Sequence, residues 1–124
     1  MELRVDIPKA LLVVLNQLYD MEQKLKRVND SNGLTRNIGK MKDAFAEEGL
    51  ALPGGSRIRL MYEDPLGKPF NETRTDLEMT IAGPGADDLV VVEVIKPIIR
   101  ASLKEGISFV VQKGVVIAES QTRQ

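Results

Sequence analysis

By type and spacing, the residues of this chain best suited to chemistry are four carboxylates, Glu63, Asp64, Asp76 and Glu78. Asp76 and Glu78 would share one face of a strand, and paired acids shift each other's pKa, as acid–base catalysis requires. The usual helpers are missing. The 124 residues contain no His and no Cys. That removes the common proton shuttle near neutral pH, the commonest metal ligand, thiol chemistry and any disulfide framework. No spacing of Asp, Asn and Glu matches a calcium loop. The glycine stretches LPGGSR and AGPG lack the Gly-Lys-Ser/Thr ending of a phosphate loop. A polar, exposed strand face accounts for the acids, and the chain reads as a non-enzyme with no cofactor and no metal.

Composition narrows the partners. Apolar residues make up 43% and charged residues 28%, as in an ordinary globular protein. The formal net charge of −1 gives no general attraction to nucleic acid or anionic lipid. The basic cluster KLKR, from Lys24 to Arg27, sits beside acids and reads as a solvated helix face. The longest apolar run, residues 10–15, is far too short to cross a bilayer. No signal-peptide pattern opens the sequence, and a cytoplasmic protein is expected.

The elements that position these residues fall into two halves. Asp6, Ile7 and Pro8 form a helix start. Leu11, Leu18 and Leu25 then recur every seven residues, with Val14, Met21 and Val28 between them, a 3–4 spacing over about three heptads. Asp30-Ser31-Asn32-Gly33 stops that helix. A second helix carries Leu34, Ile38, Met41 and Phe45 on one face and ends at Glu47-Glu48-Gly49, with Gly49 as its cap. After Pro53-Gly54-Gly55 the period changes to two. Ile58, Leu60 and Tyr62 alternate with Arg57, Arg59 and Met61, and Leu77, Met79 and Ile81 alternate with Asp76, Glu78 and Thr80. Residues 90–95 form a β-branched run that Pro97 ends. Strands at 108–111 and 115–118 read as a hairpin around Gln112-Lys113-Gly114.

A lone helix pair leaves half of its apolar stripe in water. Either a second copy or the chain's own β region must cover it. The simpler remedy gives an α+β plan in two domains. Residues 1–50 form a helical hairpin that dimerises as a four-helix bundle through Leu11, Val14, Leu18, Met21, Leu25 and Val28. Residues 51–124 form a small all-β head of four to six strands that binds a partner.

Three segments, in this order, carry a family resemblance. Pro65-Leu66-Gly67-Lys68-Pro69-Phe70-Asn71 resembles the Gly-x-Pro-Phe-Asp turn that leads into the β head of the GrpE family. Val92-Glu93-Val94-Ile95-Lys96-Pro97 resembles that family's Val-x-x-Val-x-Arg/Lys-Pro strand end, and QKGVVIAE (112–119) resembles its final strand. The likeness spans residues 34–120 and departs in places. Thr75 replaces a His, Ile98-Ile99 a Gly-Tyr and Gln112 an Arg, SRIRLMYEDP is extra, and a long paired N-terminal helix is absent.

The resemblance implies a homodimeric co-chaperone that binds a DnaK-type chaperone's nucleotide-binding domain and favours its open cleft, so that ADP leaves. Such a mechanism needs a rigid surface with differential affinity for two states, not a tuned pKa. The positions matching family contacts are Gly49, Ile95 and Ala118, with the loop at 84–89 (Pro84, Gly85, Leu89) as a further region. Each also has a purely structural explanation: a helix cap, a core strand residue, a small strand residue and a plain turn. A dimeric adaptor of the same architecture, without exchange activity, is the alternative function.

Overall fold

The computed structural model describes residues 7–29, 32–70, 73–104 and 107–121. Asp6, Asp30, Ser31 and Asn71, read above as boundary or turn residues, lie outside the described residues. Helix α1 (Lys9–Leu25) and helix α2 (Leu34–Asp43) lead into a wider helical turn, Ala44–Glu48. Eight strands follow: β1 (Leu50–Ala51), β2 (Arg57–Glu63), β3 (Pro69–Phe70), β4 (Leu77–Ala82), β5 (Leu89–Lys96), β6 (Ile98–Lys104), β7 (Ile107–Gln112) and β8 (Gly114–Ser120). They form two four-stranded sheets, ordered β1-β2-β6-β7 and β3-β5-β8-β4. Among the described residues no helix is long and apolar enough to cross a membrane.

One long antiparallel hairpin builds both sheets. β5 and β6 are nearly continuous across Pro97, and β7 and β8 across Lys113. β5 pairs with β8 from Leu89↔Ser120 to Lys96↔Val115, and β6 pairs with β7 from Ile99↔Gln112 onward. The ladder therefore runs through a corner where both strands change sheet. Pro97 lacks an N–H for the ladder, which suits it to that break. Gly114 suits it because a Cβ there would lie 2.8 Å from Leu77 and 2.9 Å from Ile98. The hairpin expected around Gln112-Lys113-Gly114 is thus a bend within one arm, and β7 and β8 do not pair. Glycine marks a tight backbone approach there rather than a chain reversal.

The stalk-and-head plan is overturned. Instead of a helical hairpin held in a dimeric four-helix bundle beside a separate all-β head, the chain is mostly β. Its two helices cover the first sheet. Leu15 and Leu18 of α1 and Ile38 of α2 pack with Ile58, Leu60, Ile99 and Ala101 in one core. The physical reason lies in β2 and β6, whose inward residues offer an apolar face within the same chain. Covering it intramolecularly avoids the entropy cost of association. The boundary placed at residue 50 falls inside this shared core. The opposite side of the corner closes a second core from Leu77, Val91, Ile98 and Val116. Adjacent residues Ile98 and Ile99 thus serve different cores, as strand alternation dictates.

The helix termini are tied down by the sheet. Gly49 takes φ 65° and donates its N–H to the Ala44 carbonyl at 2.9 Å, closing the wide last turn. Arg57 and Arg59 of β2 reach back to the Glu48 and Glu47 carbonyls at 3.1 and 3.0 Å, satisfying acceptors the helix leaves open. The segment SRIRLMYEDP supplies β2, a central strand of the first sheet.

Because the helices and first sheet share one core, they should unfold together. Leu18→Ala, at a side chain 1% exposed, is expected to cost about 2–5 kcal/mol. Helical and β signals should fall in one coincident denaturant transition. Loss of helix with the sheet intact would contradict the shared core.

Candidate protein-docking groove

α1 is fastened to the β layer at two points. Midway along the helix, Asn16 and Gln112 exchange reciprocal side-chain amide bonds at 3.0 and 2.9 Å, and Gln112 also donates to the Pro97 carbonyl at 2.9 Å. One turn further on, Tyr19 donates its hydroxyl to Asp64 at 3.2 Å, while the Leu66 N–H donates to the same carboxylate oxygen at 3.0 Å. Gln112 therefore holds the helix against the corner. Alongside these anchors, residues of α1 and β5 line a groove of about 500 Å³.

Exposed apolar side chains line this groove. Val13 comes from α1, Leu66 from the turn before β3, and Val92 and Ile95 from β5. Ile95 is 58% exposed and Val13 52%, well outside the core. The strand pairing gives the reason for β5. Its register against β8 slips between Val91 and Glu93 and again between Val94 and Lys96. Val92 and Ile95 are the unmatched residues, and bulges re-aim side chains in this way. Asp20, Arg27, Glu93 and Lys96 add charges of both signs to the walls.

Of the carboxylates singled out by sequence, Asp64 anchors α1 beside the groove, and Asp76 and Glu63 fasten the fold elsewhere. Arg74 grips Asp76 with two bonds at 3.0 and 2.9 Å, and Arg100 reaches the same carboxylate at 2.7 Å. Arg100 also pairs with Glu63 at 3.0 Å, so the network links β2, β6 and the start of β4. The Arg74 hydrogen bonds hold the Asp76 carboxyl below its ordinary range. That is the reverse of what a general acid needs. Glu78 lies exposed on β4.

Between the helices and β2, Tyr62 donates to Glu22 at 3.1 Å, and Lys42 pairs with Glu22 at 2.9 Å. Lys42 also lies 4.7 Å from the centre of the Tyr62 ring, and Tyr19 meets Tyr62 edge-on at 5.8 Å. Burial, then the neighbouring carboxylates, push both phenols well above their ordinary value. Among the described residues no three acidic side chains converge as a metal site would require.

The expected contact residues do not gather on one surface. Ile95 lines the groove, whereas Leu89 and Ala118 are buried. Pro84 and Gly85 border a separate depression of about 320 Å³ with Asp87, Glu119 and Ser120, beyond the opposite end of β5. Gly49 sits half-buried at the junction, where a Cβ would overlap the Ile58 carbonyl oxygen.

The expected dimer stripe divides. Leu18 is enclosed in the chain's own core, and Leu11 and Leu25 pack partly against it. Val14, Met21 and Val28 remain exposed, and Val28 falls beyond the end of α1. Met21 borders an apolar depression of about 300 Å³ with Leu34, Ile38 and Met41. Sequence reasoning missed Val13, Leu66 and Val92 as groove residues. Val13 is one more apolar residue beside the heptad stripe, and bulge positions leave no signal.

Comparison with protein-family models, curated sequences and solved structures finds no match to this chain.

The Asp76 network has a pH signature. Its carboxyl is depressed in the folded state, so its contribution is present above the unfolded value of about 4 and is lost as pH falls through the lower folded value. Asp76→Asn is expected to cost about 1–3 kcal/mol at neutral pH, because it leaves two guanidinium groups with a weaker partner. The variant should also lose less stability than the wild type on acidification below about pH 4, measured by denaturant titration. Equal acid slopes would remove Asp76 from the account.

Proposed function

We propose that this protein is a protein-binding module acting through surface shape, with the groove between α1 and β5 as its docking face. The observation that carries this reading is the presentation of Val92 and Ile95 at two successive bulges opposite Val13. Apolar side chains held outside the core on a tied-down scaffold suit recognition, since little order must be gained on binding.

A second reading gives the partner as a DnaK-type chaperone whose ADP release the protein promotes, which places it in the cytoplasm. It is favoured by the exposure of Ile95 and of the Pro84–Gly85 loop, two of the positions matching family contacts. The buried Leu89 and Ala118 would then act only by shaping the sheet. Release of a fluorescent ADP from a DnaK-type chaperone should accelerate on adding the protein, and Ile95→Asp should reduce the effect by about tenfold or more. No acceleration at saturating concentration would leave the binding-module reading without exchange activity. Acceleration unaffected by Ile95→Asp would move the docking face away from the groove.

The exposed Val14, Met21 and Val28 favour self-association. Val14 and Met21 lie two turns apart on one face of α1, so antiparallel pairing of two copies sets Val14 of one beside Met21 of the other. Met21→Asp should abolish the dimer in sedimentation analysis while leaving thermal stability nearly unchanged, because Met21 is 41% exposed in the single chain. A wild type that stays monomeric at high concentration would refute this pairing.

A further inference from the structure

We propose that the groove takes a short extended peptide as an added strand, antiparallel to β5 and in line with β3, with apolar side chains at every second position. The inference rests on the docking-groove reading above and names the form of its ligand.

The ladder on the outer side of β5 is unfinished. β3 pairs only with Leu89 and Val90, and two further bonds, Gly67 N–H to the Val91 carbonyl at 2.9 Å and Val91 N–H to the Lys68 carbonyl at 3.0 Å, extend it by one residue. From Val92 to Lys96, β5 has β8 on one side and, among the described residues, no strand on the other. Five residues of strand span about 16 Å. α1 runs along this edge as the facing wall, so the edge opens into the groove. A groove of about 500 Å³ lies in the size range of peptide and small-ligand sites.

The type of occupant follows from the wall. A helix satisfies its own backbone groups and would leave the main-chain edge to water, whereas an extended segment pairs with that edge directly. Successive side chains of such a segment point to opposite faces, so every second one meets Val13, Val92 and Ile95. Leu66 borders the groove beside β3, where the existing ladder stops. Edges that only need protection carry Lys, Pro or charge and twist away at bulges. Glu93 and Lys96 fit that description, but the residues at the bulges are Val92 and Ile95, which expose apolar surface instead.

The test is selection of random peptides of about eight residues, displayed on phage, against the full folded chain, followed by titration of the enriched sequences. Enriched peptides should alternate apolar and polar residues. Val13→Asp and Ile95→Asp should weaken binding about tenfold or more with the unfolding midpoint retained. Methylating backbone nitrogens at one alternate set of positions should weaken binding about tenfold, while methylation of the other set is tolerated. Peptides that need Ile95 yet are equally sensitive to methylation at every position would overturn the added strand and leave the docking groove standing. Enriched peptides indifferent to both substitutions, or no enrichment at all, would overturn the groove together with the strand, leaving β5 as a guarded edge.

Discussion

The corner at Pro97 and Gly114 is the constraint on which the molecule depends. One ladder passes through it and becomes two sheets, so each core is closed by strands that continue into the other. The space a side chain at Gly114 would need is filled by Leu77 and Ile98, two members of the second core. The first core lies across the bend, where Ile99 and Ala101 meet the helices. A missing donor on one arm and a missing side chain on the other allow two paired strands to bend at one level. This chain has both.

Polar contacts then set the position of the helices over the first sheet. Gln112 lies at the bend and holds Asn16, while Asp64 holds Tyr19 and the turn at Leu66. These contacts fix the spacing of α1 from β5 and therefore the groove. The tyrosine and arginine networks consume charged groups that a sequence reader would first assign to catalysis. Their altered proton affinities record burial first in the two phenols and pairing with Arg74 first in Asp76, both consequences of the fold.

The groove was only partly legible in the sequence. Ile95 entered through motif likeness, but its orientation depends on a bulge, and a bulge is a mismatch between two strands. No inspection of residues 89–96 alone can show it. Gln112 is a similar case. Its importance comes from Asn16, 96 positions away, and only the completed fold brings the two amides together. The Leu18 stripe illustrates the same limit, because heptad spacing says that a face is apolar and not what will cover it.

The sequence by itself determined the local grammar: where the first helix begins, that Gly49 ends the second, and that residues 57–62 and 76–81 alternate as strands. These follow from backbone sterics, capping and side-chain periodicity, which act over a few residues. Only the tertiary structure decided that the helices lie on their own sheet, that Lys113-Gly114 bends a strand instead of reversing it, and that Val92 and Ile95 face outward. Those outcomes depend on contacts distant in sequence, where many partners satisfy the same local pattern and packing selects among them.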